Sequence, residues 1–92
     1  MQTVDATTEF STRDLQIASA LMAHGQQLLR LDWYGGRAFF IFENKSRCGG
    51  LVQAYWGGDL KLPAKEYFAA MRELKDRLFQ AERDQRRGNE LT

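Results

Sequence analysis

The sequence predicts an α+β domain in which a two-stranded antiparallel hairpin packs against three helices, in the order α-β-β-α-α. Three observations predict it. Two strand-like runs, 28–34 and 37–43, flank the dipeptide Gly35-Gly36, which supplies the positive φ of a two-residue hairpin turn. Stretches with apolar residues at helical spacing lie on both sides of that hairpin, one before it and two after. The 92 residues, 43% of them hydrophobic, suffice for one core and no second one.

Residues 1–10 are polar, Thr-rich and without a period, and read as a flexible N-terminal arm from which Phe10 can dock as an apolar staple. Ser11 and Thr12 offer a helix N-cap, with Asp14 well placed in the first turn. Leu15, Ala18, Leu21 and Met22 then follow a helical period until Gly25, so the first helix is expected over about 13–24.

Closing the hairpin at Gly35-Gly36 pairs Trp33 with Ala38, Leu31 with Phe40 and Leu29 with Phe42. These six side chains share one apolar face, because side chains alternate along a strand. The other face carries Leu28, Arg30, Asp32 and Tyr34 beside Arg37, Phe39, Ile41 and Glu43. A lone hairpin is marginal in water, so the apolar face requires helical cover.

Asn44 or Ser46 can cap a second helix, in which Cys48, Leu51, Val52, Tyr55 and Trp56 make an apolar stripe ending at Gly57-Gly58. Gly49 and Gly50 inside it cost about 1 kcal/mol each relative to Ala, so they are expected to allow close packing on the hairpin or to mark a later start. After an extended connector, Asp59 to Leu62, Pro63 suits the first turn of a third helix. Its expected core stripe is Ala64, Tyr67, Phe68, Met71, Leu74 and Leu78. The helix is expected to run into solvent and fray before Gly88. A single domain over 11–87 and a flexible tail, 88–92, complete the organisation.

Composition narrows the function classes. Thirteen basic and twelve acidic residues leave a formal net charge of +1, which argues against a surface built wholly for phosphate. No apolar run approaches the ~20 residues that cross a bilayer, and no signal-peptide core is present, so a cytoplasmic protein without membrane association is expected. One Cys and one His exclude an internal disulfide framework and disfavour zinc.

From about Arg13 to Phe79 the chain resembles a family of small domains of unknown function found in bacteria, archaea and their phages. The residues that carry the likeness are Gly35-Gly36-Arg37-Ala38-Phe39-Phe40-Ile41-Phe42-Glu43, then Leu51-Val52-Gln53-Ala54-Tyr55-Trp56, then Tyr67-Phe68-Ala69-Ala70-Met71-Arg72-Glu73-Leu74-Lys75. The resemblance implies a shared fold and a context of accessory proteins carried on mobile elements, anti-defence proteins among them. It implies no catalytic residue.

No catalytic constellation, cofactor motif or metal set emerges from the residues themselves. His24 reads as a helix-end residue, and Cys48 as a small buried hydrophobe. Asp32 and Glu43 read as salt-bridge partners of neighbouring arginines. The glycine pairs 35-36, 49-50 and 57-58 lack the spacing of a phosphate loop. A non-enzymatic binding or regulatory module is therefore expected. Its protein partner would meet the hairpin through Arg30, Tyr34, Arg37, Phe39 and Ile41, and the open strand edges also allow a homodimer.

The alternative is nucleic-acid binding. Residues 33–65 hold five basic and two acidic residues, and Arg37, Lys45, Arg47 and Lys61 would contact phosphate, with Tyr34 and Phe39 nearby as stacking rings. One continuous patch of these four cations would favour nucleic acid, and scattered cations a protein. The third helix alternates its charges along the sequence, which suits a solvated helix better than a groove binder.

Overall fold

The computed structural model describes residues 8–91. The elements are β1 (Glu9–Thr12), α1 (Leu15–Ala23), β2 (Leu28–Tyr34), β3 (Arg37–Glu43), α2 (Lys45–Gly57) and α3 (Ala64–Leu91). The class is α+β with three helices, as expected, but the sheet has three strands in the order β1-β3-β2, all pairings antiparallel. β1 and β2 therefore run parallel on either side of β3, joined through α1 as a split β-α-β unit.

β1 corrects two expectations. Glu9 and Phe10 belong to a strand rather than to an arm, and Ser11 and Thr12 lie in that strand rather than at a helix cap. Residues 1–7 of the expected arm lie outside the described residues. The physical reason is the open edge of β3, which β1 pairs from Glu9↔Glu43 to Thr12↔Phe40. Phe10 does dock on the core, as part of this strand. The cap of α1 is Asp14, whose carboxylate accepts from the backbone N–H of Gln16 at 2.8 Å and of Ile17 at 3.1 Å. Thr12 in turn accepts from the Asp14 N–H at 3.1 Å.

α1 is the central helix, with Ile17 to Leu21 all buried. Ser19 lies among them with its hydroxyl donating to the Leu15 carbonyl at 2.7 Å, so no polar atom is left unpaired there. The core joins Ile17, Ala18 and Leu21 of α1 to Phe40 and Phe42 of β3, Cys48 of α2 and Leu74 of α3. All three helices thus contribute to one face of the sheet.

The hairpin closes at Gly35 (φ 58°) and Gly36 (φ 78°), and Trp33↔Ala38 and Leu31↔Phe40 pair as expected. The third expected pair does not form. From Arg30↔Ile41 to Leu28↔Phe42, β2 advances two residues while β3 advances one, which is a bulge at Leu29. Leu28 therefore turns to the core, and Leu29 is 40% exposed.

α2 begins at Lys45, capped by Asn44 in the left-handed region (φ 69°), whose side chain accepts from the Arg47 N–H at 3.1 Å. It includes Gly49 and Gly50, and a Cβ built at either meets nothing within 4 Å. The glycines neither enable close packing nor mark a later start. Trp56, expected in the stripe, is 70% exposed. α3 starts one residue after Pro63 and continues through the expected tail to Leu91, with Thr92 outside the described residues. Its buried positions are Ala70 and Leu74, flanked by half-buried Tyr67, Met71 and Leu78, whereas Phe68 is 61% exposed. The burial stripe is thus rotated away from Phe68 relative to the expected one. No helix among the described residues is long and apolar enough to cross a membrane.

Candidate functional site

With the helices on one face, the opposite face of the sheet has no second layer among the described residues. It carries Glu9 and Ser11 from β1, Arg37, Phe39, Ile41 and Glu43 from β3, and Arg30, Asp32 and Tyr34 from β2. Of the five residues expected to meet a partner, this face presents them unequally. Ile41 is only 4% exposed. Its neighbours across the strands are Ser11 and Arg30, and the Arg30 guanidinium donates through Nη1 and Nη2 to both Glu9 oxygens, at 3.1 and 2.9 Å. Two interstrand spacings separate Arg30 from Glu9, about 10 Å. The Arg30 side chain therefore lies across β3 and covers Ile41, which removes Ile41 as a contact residue.

Arg30 is also committed. Its Nε donates to Asp32 at 3.0 Å, and Tyr34 donates to the same carboxylate at 3.4 Å. Hydrogen bonds from Arg30 hold the Glu9 carboxyl below its ordinary value, and those bonds in turn raise the guanidinium. Phe39 is half-buried, packed edge-on against Tyr34 with ring centroids 5.4 Å apart. Glu9, Arg30, Asp32, Tyr34 and Phe39 thus form a lattice that satisfies itself. Tyr34 and Arg37 remain exposed at the tip of the hairpin.

Beneath that tip, on the helical side, lies a cleft of about 260 Å³ lined by Arg13, Leu15, Trp33, Gly36, Arg37, Ala38, Phe40, Leu78 and Glu82. Its floor is apolar and its rim carries two arginines and one carboxylate. No carboxylate among the described residues lies within 4.0 Å of Arg13 or Arg37. Three chain segments build this cleft: the turn before α1, the tip of the hairpin and the middle of α3. Arg13 carries no signal of this role in the sequence, where it reads as the first residue of a helix. Trp33, expected on the apolar core face of the hairpin, is half-buried as a wall of the cleft.

The alternative set of cations is not brought together. Arg37 begins β3, whereas Lys45 and Arg47 follow its far end, about 20 Å away along the strand. Lys61 lies beyond the far end of α2, where its carbonyl accepts from His24 Nε2 at 2.8 Å. All four are exposed, but Arg37 stands at the opposite end of β3 from Lys45 and Arg47.

The remaining chemical groups are structurally occupied. His24 caps the C-terminus of α1 and ties it to the connector before α3. The Cys48 thiol is fully buried, 3.5 Å from the Glu43 carbonyl, and burial pushes its pKa up. Among the described residues no group of three or more His, Cys, Asp or Glu side chains is placed to hold a metal.

A family model described as a domain of unknown function (DUF5659) matches residues 7–80. No curated protein and no solved structure matches the chain.

Proposed function

The chain belongs to the DUF5659 family, a description that carries no activity, and we propose that it is a non-enzymatic binding module that takes a protein segment into the cleft beneath its hairpin tip. The single observation that supports this reading is the pairing of an apolar floor, Trp33, Leu15, Phe40 and Leu78, with Arg13 and Arg37 at the rim. A volume of about 260 Å³ is below the ~300–1,000 Å³ typical of cofactor pockets, and suits one or two anchoring side chains. The preferred ligand is a segment with an aliphatic or aromatic anchor next to a carboxylate, which the arginines recognise by charge-assisted hydrogen bonds. Tyr34 lies on the outer side of the same tip and does not line the cleft. A regulatory or anti-defence role, as the resemblance implies, would act through this same surface.

The test is selection of peptides on the wild-type protein from a random display library. Selected peptides are expected to combine an apolar anchor with acidic residues, and to bind the double variant Arg13→Glu/Arg37→Glu at least tenfold more weakly while its circular dichroism is unchanged. Peptides that bind both proteins equally, or a selection enriched in basic sequences, would overturn the reading.

A further inference from the structure

α3 segregates its charges around the helix axis, although they alternate along the sequence. At about 100° per residue, Lys65, Phe68, Arg72, Lys75, Phe79 and Arg83 fall within about 50° of one line down the helix. All six are exposed, Phe68 by 61% and Phe79 by 57%. Asp76 and Glu82 border this stripe, and no acidic residue lies on it. Glu66 and Glu73 lie on the other flank, where they line a shallow groove against Met22 and Ala23 of α1, and Glu73 pairs with Arg77 at 3.1 Å. Among the described residues no carboxylate lies within 4.0 Å of Lys65, Arg72, Lys75 or Arg83. Among the described residues Arg83 donates to the Gln80 side-chain oxygen, at 2.7 Å. Phe68 is propped edge-on by Tyr67, with centroids 5.8 Å apart.

We propose that this face of α3 binds single-stranded nucleic acid, with the four cations on phosphates and Phe68 and Phe79 stacked on bases. The inference does not rest on the cleft, although Glu82 stands both on the cleft rim and at the border of this stripe. Charge complementarity selects a polyanion: along about 27 Å of helix the stripe carries four cations, with Asp76 and Glu82 only at its borders. The two rings then select splayed bases over a duplex, whose bases are already stacked. A second copy of the chain fits poorly. The antiparallel two-fold that sets Phe68 against the partner copy's Phe79 also sets Arg72 against Lys75 of the partner subunit, and opposed like charges destabilise. A bilayer fits poorly too, because seating both rings in the interface would immerse the cations between them.

The experiment is fluorescence anisotropy of labelled 20-nucleotide oligo(dT) and oligo(U) with the full chain across a salt series, beside a 20-base-pair duplex and vesicles of mixed phosphatidylserine and phosphatidylcholine. Binding is expected for the single strands, with a log–log salt slope of about −3 for four neutralised phosphates. Arg72→Glu/Lys75→Glu is expected to weaken it at least tenfold. The matched control Lys45→Glu/Arg47→Glu, equal in charge change, is expected to leave it within twofold. Phe68→Ala/Phe79→Ala is expected to weaken binding by about fivefold or more per ring at every salt concentration. Flat anisotropy at low salt would overturn the proposal, as would equal loss in both charge-reversal variants. Binding to vesicles or duplex alone, or binding indifferent to loss of both rings, would overturn it as well.

Discussion

Arg30 and Glu9 sit on the two outer strands of the sheet and close a two-bonded ion pair, 2.9 and 3.1 Å, over the central strand between them. The pair does two things at once. It covers Ile41 with the Arg30 side chain, and it ties the short strand β1 to β2 across the sheet.

That arrangement predicts different outcomes for two replacements of Arg30. Arg30→Met keeps the apolar stem over Ile41 and loses the charge; Arg30→Ala loses both. The melting temperature is expected to fall for both, and further for Ala. Equal melting temperatures for the two variants would show that the stem contributes no cover.

The same pair fixes a pH dependence. The Glu9 carboxyl is held below its ordinary value by Arg30, so its contribution to stability is present above the ordinary carboxyl range and is lost as pH falls through the lowered value. Titration of the Glu9 side chain by NMR is expected to give a midpoint below that of an unperturbed glutamate, returning to the ordinary value in Arg30→Met. Added salt should narrow the difference, since the pair is exposed.

The hairpin bulge makes Leu28 and Leu29 unequal. Leu28 packs on the core and Leu29 points out of it. Leu29→Lys is expected to change stability by no more than about 0.5 kcal/mol, whereas Leu28→Ala should cost about 1–2 kcal/mol, less than full burial would give. Urea denaturation measures both. The reverse order would indicate the unbulged register.

Here the limits of the sequence become physical. The turn at Gly35-Gly36 and the pairs nearest to it are readable because positive φ and strict alternation leave one solution. The bulge is not readable, because Leu28 and Leu29 are the same residue type and either satisfies the core. β1 is a four-residue strand that exists only because β3 offers an edge, so no local period announces it. Ile41 looked available because alternation assigns a face but says nothing of a long side chain lying across it. Of the expected contact residues, Arg37 and Tyr34 stand at the tip as read, while Arg13 reaches the same tip only through the fold. On α3, placing Phe68 in the core stripe concealed the basic and aromatic face to which it belongs.

Gly49 and Gly50 lie within α2 with nothing within 4 Å of a Cβ built at either. Gly49→Ala and Gly50→Ala are each expected to stabilise the domain by about 1 kcal/mol, raising the urea midpoint with an unchanged slope. Destabilisation by either would show that its backbone is in contact with something not visible in this fold.

Cys48 is expected to resist thiol reagents. Its burial and raised pKa leave little accessible thiolate, so the native protein should react with Ellman's reagent only as fast as it unfolds. Because the unfolded chain releases the thiol proton first, stability should decline as pH rises past the ordinary thiol value.

The cleft at the hairpin tip can be interrogated directly through Trp33, which forms one of its walls. The sequence has two tryptophans, and replacing the exposed Trp56 with Phe leaves Trp33 as the sole reporter. Titration with a library-selected peptide should give a saturable blue shift of Trp33 emission, abolished in Arg13→Glu/Arg37→Glu. A peptide that binds by anisotropy while Trp33 emission stays unmoved would contradict the account, since the contact would then lie elsewhere on the molecule.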